Sequence, residues 1–451
     1  MMSDGPFAST VPGAPASPAQ EALAADTQAE STPTGTVRTP MPPRYIVFML
    51  LGMFGAYAAL VAPIGLTLSL RIQELAPSNV EVLGFVIGIG ATVTTIVGPL
   101  AGLWSDRTRS RFGRRRPFAF GTALLGFAGL IVIAQAPNVP MLLVGWIITS
   151  VGWSGSMNTL IQSQADRVPE SQYGRVAGLS GFIQMVAPVA GIALASAFIG
   201  NNYLVFLVPG AVGLVGMMAW VLFVKERDSR DAVFEDNLNA GKLLSSFVFN
   251  PRQYPDFAWN WLARLLFMTG VTFASTFSSL FFASRLTTSG QVADIGNIII
   301  VFSTISIAVT GVGALLGGFL SDKLKRRRAF VLGSGIVYTA GSITLAFGGS
   351  DFVVLLLGSC LTGLALGVFS SVDQALVLMV LPEKDINAGR FLGINGYSTS
   401  IAQAVAPLLA APLVLIGVRE GEKNYGLLFV VAAGLTILAG IIVQWKVKSV
   451  R

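Results

Sequence analysis

The sequence predicts an all-α membrane protein, with twelve transmembrane helices arranged as two pseudo-symmetric six-helix bundles. Three observations predict it. The 451-residue chain is 53% hydrophobic and only 12% charged, against about 25% charged in a soluble domain. Its apolar runs repeatedly reach the roughly 20 residues that a bilayer requires. Markers in the first half of the chain also recur in the second at a nearly constant offset.

The runs lie near 45–70, 81–104, 117–136, 140–163, 175–200 and 203–224, then near 259–283, 294–320, 328–347, 351–379, 390–417 and 425–446. A polar stretch holding charges of both signs, then Asn250, Pro251 and Pro255, separates the two sets. The expected organisation is a cytoplasmic tail over 1–44, a bundle over 45–225, a linker over 226–257, a second bundle over 258–446 and a short tail over 447–451. The first 44 residues are rich in Ala, Pro, Ser and Thr with no apolar run. They lack the basic start and apolar core of a signal peptide and read as disordered.

Lys and Arg set the orientation. With the N-terminus inside, the cytoplasmic loops hold Arg38, Arg44, the cluster from Arg107 to Arg116, Arg167, Arg175, the linker, Lys323 to Arg328, Lys384, Arg390 and the C-terminal Lys446, Lys448 and Arg451. The outer loops hold Arg71, Arg285, Arg419 and Lys423. Both termini are therefore expected inside, in the cytoplasmic membrane. The net charge of +7 follows from this loop distribution and argues for no nucleic-acid partner.

The repeat is explicit. Gly102-Leu-Trp-Ser-Asp106-Arg107 follows helix 2, then Arg111-Phe-Gly113-Arg114-Arg115-Arg116; Gly318-Phe-Leu-Ser-Asp322-Lys323 follows helix 8. Gly174-Arg175 and Gln184-Met-Val-Ala-Pro188 in helix 5 match Gly389-Arg390 and Gln403-Ala-Val-Ala-Pro407 in helix 11. Asp322 follows Asp106 by 216 residues, Arg390 follows Arg175 by 215 and Pro407 follows Pro188 by 219. Two six-helix halves in parallel repeat, with a solute near the midplane between them, form a known transporter plan.

The loop after helix 2 resembles the signature of the major facilitator superfamily. Pro99-Leu-Ala-Gly-Leu-Trp-Ser-Asp106-Arg-Thr-Arg-Ser-Arg-Phe-Gly-Arg-Arg-Arg-Pro117-Phe closely resembles the sucrose–proton symporters and the wider glycoside–pentoside–hexuronide:cation symporter branch. The superfamily resemblance covers residues 45–446; the sugar-symporter one is sharp over about twenty residues. It implies the major facilitator fold and a cavity lined by helices 7 and 10 among others. Gly102, Asp106, Arg107, Gly113, Arg114, Arg175, Asp322 and Arg390 are the expected gating residues. A helix N-terminus attracts a carboxylate by roughly 0.3–1 kcal/mol. Asp106 is thus expected to clasp the start of helix 11, and Asp322 the start of helix 5, when the cytoplasmic side is shut.

Ionisable residues at membrane depth are costly and mark function. Arg264 lies about seven residues into helix 7, roughly 10 Å deep at 1.5 Å per residue. Asp373 lies nine residues before Pro382, roughly 13 Å deep. They are expected either to pair, with Asp373 the proton-coupling carboxylate, or to form a structural ion pair. The resembled symporters carry coupling carboxylates in helices 1, 2 or 4. Here helices 1 and 2 offer only Glu74 and Glu81, near the outer surface, and Asp166 ends helix 4. Trp153, Asn158 and Gln162 on helix 4, Tyr57, Gln184, Gln374 and Asn395 join Arg264 and Asp373 as expected substrate contacts. Amides donate and accept, and aromatic rings cover sugar C–H faces.

These residues imply a monomeric secondary transporter for a small polar solute, a sugar or glycoside coupled to protons or another cation. The alternative is an efflux carrier for apolar compounds, which the Phe-rich helices and Met residues would suit. No enzyme is expected. The sequence has no histidine, no HExxH and no paired intramembrane acids, and its single cysteine, Cys360, can form neither an intrachain disulfide nor a zinc cluster. No metal or cofactor is expected. No Walker A sequence occurs either, which argues against a primary pump.

Overall fold

The computed structural model describes residues 41–224, 226, 228–230, 248–286, 292–383, 388–418 and 423–449. Most of the expected N-terminal tail and residues 231–247 of the expected linker lie outside them. Among the described residues twelve helices follow one another: α1 Pro43–Leu75, α2 Val82–Asp106, α3 Arg116–Gln135, α4 Val139–Arg167, α5 Glu170–Ser196 and α6 Leu204–Phe223. Next come α7, Pro255–Thr276 continued after a 44° bend by Ser278–Leu286, α8 Val292–Leu324, α9 Arg327–Phe347, α10 Phe352–Val380, α11 Ala388–Leu413 and α12 Tyr425–Lys446.

Local sequence explains the boundaries. Prolines stand in the first turn of α1, α3, α4 and α7, where the missing N–H has no intrahelical partner to lose. Asn138, Asp351 and Asn424 cap α4, α10 and α12 by accepting from the N–H of Met141, Val353 and Leu427 at 3.0, 2.8 and 3.2 Å. Such a side chain satisfies an orphan donor of the first turn. Within α1, Pro63 opens a five-residue π segment, Pro63–Thr67. Proline supplies no N–H there, and the wider turn absorbs the gap.

Ten of the helices are long and apolar enough to cross a membrane, and the bent α7 passes as a pair. The remaining one, α11, is 26 residues long, but Asn395, Ser398, Thr399, Ser400 and Gln403 make its middle polar. The chain is a multi-pass membrane protein. Short loops make successive helices antiparallel within each half, and the pairing of Lys423 with Glu81 puts the α1–α2 and α11–α12 ends on one face, the far face, so Met41 and Ser449 share the other, the terminal face.

The packing repeats itself. In the first half α1 lies against α5 and α6, α3 against α4 and α6, and α2 against α4. In the second half α7 lies against α11 and α12, α9 against α10 and α12, and α8 against α10. The halves meet along α2 with α11 and α5 with α8. Bilayers supply little hydrophobic drive between helices, so small residues admit close approach. A Cβ at Gly152 on α4 would stand 2.2 Å from the Gly126 nitrogen on α3. One at Gly84 on α2 would stand 2.5 Å from the Pro407 carbonyl on α11.

Candidate functional site

Between the halves lies a cavity of about 570 Å³, walled by α1, α2, α4, α7 and α11. Its far-face end is sealed. Ser279 on α7 donates to Ser69 on α1 at 3.0 Å. Lys423 pairs with Glu81 at 2.8 Å and reaches the Ser78 carbonyl at 3.3 Å. Leu66 and Ile192 of the first half pack with Ile299 of the second. Toward the terminal face, Gly178 and Gly181 on α5, and Gly393 and Gly396 on α11, have open space beside them.

One face of α4 forms a wall. Trp146, Ser150, Ser154, Asn158 and Ile161 all line the cavity. The first four are spaced by four, and residues four apart share a helix face. Trp146 is almost fully buried, and its Nε1 has no hydrogen-bond partner. Gly90 on α2 makes room for it: a Cβ there would lie 2.3 Å from that nitrogen. Opposite stand Met268, Thr272, Ser275 and Thr276 on α7 and Thr399, Ser400 and Gln403 on α11. Tyr57 on α1 lines the cavity, and its hydroxyl accepts from the Gln184 amide on α5.

Arg264 and Asp373 are joined: the guanidinium Nη1 donates to Asp373 Oδ2. Arg264 Nε also donates to Thr399 Oγ1 at 3.2 Å. Asn260 Nδ2 donates to Asp373 Oδ1 at 3.4 Å. Because Thr399 lines the cavity, the ion pair stands one side chain back from it.

Other expected contacts fall elsewhere. Trp153 is fully buried, with its ring against Gly126 on α3 and Gly213 on α6, so it packs the first half rather than facing the cavity. Gln162 sits lower on α4, where its Oε1 accepts from Arg115 Nη1 at 2.6 Å. Asn395 is buried with its Oδ1 unpartnered, and Gln374 is exposed; neither is among the residues lining the cavity.

The terminal-face loops are tied within each half. Arg114 and Arg115 bond Asp166 Oδ2 at 2.8 and 3.1 Å. Arg115 also reaches Ser105 Oγ at 3.1 Å, while Glu226 Oε2 accepts from the Arg115 backbone N–H at 2.9 Å. Gly113 has φ of +89°, and a Cβ there would meet Glu226 at 2.3 Å. Asp322 accepts from Arg327 at 2.6 Å. Arg390 donates to the Val248 carbonyl at 2.7 Å, and Arg175 is exposed. Gly102 faces Gln162, and Arg107 is half-buried. The Asp106 side chain lies outside the described residues. Nearby, Tyr254 donates to Glu383, and that bond pushes the phenol above its ordinary pKa.

The Major Facilitator Superfamily profile matches residues 44–309 and 288–450. The chain belongs to that superfamily. Its members' architecture recurs in solved structures that share the fold. The nucleoside transporter NupG aligns with a TM-score of 0.69 at 13% identity, covering 90% of this chain and 98% of that one. A D-xylose-proton symporter aligns with a TM-score of 0.69 at 15% identity, covering 90% and 98%. Among curated sequences, the minor myo-inositol transporter IolF of Bacillus subtilis is 31% identical over 121 residues, 27% of each chain. The general alpha-glucoside permease of Schizosaccharomyces pombe is 44% identical over 55 residues, 12% of this chain and 10% of the permease. The chain therefore matches about a quarter or less of the length of these two relatives.

Proposed function

We propose that this transporter carries a sugar or glycoside across the cytoplasmic membrane by alternating access, with both termini inside and with proton coupling at Asp373. The observation that carries the reading is the cavity itself. Asn158, Gln403 and five hydroxyls of α7 and α11 face it together with Trp146 and Tyr57. Such a lining suits a solute that donates and accepts on its rim and is apolar on its ring faces. The names of the inositol, glucoside and xylose transporters to which the chain is similar support the same class.

Coupling follows from the bond between Arg264 and Thr399. A solute oxygen that accepts from Arg264 in place of Thr399 competes with Asp373 for the guanidinium and loosens its hold on that carboxylate. A proton then binds the Asp373 carboxylate and neutralises it. Protonation by itself would strand the Arg264 charge at membrane depth, so it proceeds only as solute oxygens take over as partners of that guanidinium.

Uptake of a sugar panel into proteoliposomes, with and without an inward proton gradient, tests both parts. Accumulation driven by the gradient is expected. No uptake of any sugar overturns the substrate class, and uptake indifferent to the gradient overturns the coupling. The aliphatic wall of Leu60, Val61, Ile64, Ile87 and Ile161 favours the second reading, an efflux carrier for apolar compounds. Gradient-driven export of a lipophilic dye in place of sugar uptake would select it.

A further inference from the structure

A second chamber, of about 200 Å³ and open on one side, lies among the helices of the C-terminal half. It is smaller than the roughly 300–1,000 Å³ of pockets for drug-sized ligands, and has room for a single sugar ring or short polyol. Six hydroxyl residues from three helices line it: Ser275 and Ser278 on α7, Ser303 and Ser306 on α8, and Ser359 and Thr362 on α10. Tyr338, from α9, adds a phenol.

Several of these hydroxyls have already spent their hydrogens on their own helices. Ser278 donates to the Ser275 carbonyl at 2.9 Å, Ser359 to Leu355 at 3.0 Å and Thr362 to Gly358 at 3.1 Å. Their oxygens keep lone pairs that accept, while Ser303, Ser306 and Tyr338 add hydroxyls that donate, so the lining suits a guest that does both. Among the described residues, none of those lining it is charged. A bare cation or an anion would find no compensating charge. A neutral polyol donates from every hydroxyl, and the rings of Phe282, Phe302 and Phe429 suit its C–H faces.

The chamber shares Val271 and Ser275 with the central cavity. It abuts that cavity across α7, where the helix bends by 44° between Thr276 and Ser278. We propose that this chamber is a second binding site for a neutral, monosaccharide-sized polyol, occupied separately from the central cavity. The class of guest rests on the proposed sugar reading; the existence of a separate hydroxyl-lined site does not.

Cysteine protection tests it in the full-length transporter, with Cys360→Ser as background. Ser306→Cys reports the chamber, Ser400→Cys the central cavity, and myo-inositol and methyl α-glucoside are the probes. At ten times its Kd, a bound polyol slows maleimide labelling about tenfold by mass action. Slowing at Ser306→Cys supports the second site. Slowing at Ser400→Cys alone overturns it and leaves the central reading standing. Slowing at Ser306→Cys alone supports the chamber and overturns the central reading, and protection at neither overturns both. Binding stoichiometry gives a second measurement that does not depend on labelling. Wild type is expected to bind two polyols per chain, and the near-isosteric Thr362→Val with Ser306→Ala to bind one; one per chain in both overturns the proposal.

Discussion

Arg264 on α7 holds Asp373 on α10 through Nη1 and holds Thr399 on α11 through Nε at 3.2 Å. One guanidinium thus ties three helices of the second half beside the cavity. Breaking a buried pair from one side costs about 3–5 kcal/mol, because the other charge is stranded. Asp373→Asn is expected to lower thermal stability and abolish gradient-driven accumulation. Asp373→Asn with Arg264→Gln should regain stability but not accumulation. A double variant that accumulates solute against a gradient would show the pair to be structural.

Asn158 and Trp153 separate two roles on one helix. Asn158→Ala should raise KM for the solute with little change in melting temperature. Trp153→Ala should cost about 3–5 kcal/mol of stability, as large core truncations do in soluble proteins, and leave the KM of the surviving protein near wild type. Melting curves in detergent with uptake kinetics check both.

Lys423 and Glu81 join the halves at the far face, each with most of its side chain buried. Glu81→Gln is expected to loosen that seal and raise labelling of cavity cysteines from the far side. A loss of about 1.4 kcal/mol shifts the equilibrium tenfold. Swapping the charges, Glu81→Lys with Lys423→Glu, should restore the seal; equal labelling in the single and swapped variants would contradict this.

Gly84 meets the Pro407 carbonyl where α2 crosses α11. Gly84→Ala inserts a carbon where overpacking costs about 1–3 kcal/mol. It should hold the far face ajar and slow transport while expression stays normal. A transport rate equal to wild type would mean that the crossing has slack.

Much of the fold was legible because a bilayer enforces it: run length, loop arginines and the Asp106 and Asp322 repeats place most helices within a few residues. The site was less legible, because spacing gives a face but not a depth. Asn158 and Gln162 share a face, yet the latter is low enough for Arg115 to reach. Trp153 is five residues from Asn158, about 140° around the helix at 3.6 residues per turn, which turns it into the first half. Stepping back from Asn158 by fours reaches Ser154, Ser150 and Trp146, the aromatic that the sequence reading missed. The loop pairing of Asp322 with Arg327 carried no sequence signal beyond proximity.

The recurring packing has a practical consequence. The halves meet mainly through α2 with α11 and α5 with α8, so α3, α6, α9 and α12 stand clear of that seam as outer staves of their own halves. Spin labels on the loop-facing ends of α3 and α9 therefore make a ruler. Their separation at each face would read the tilt of one half against the other, without a probe in the solute path.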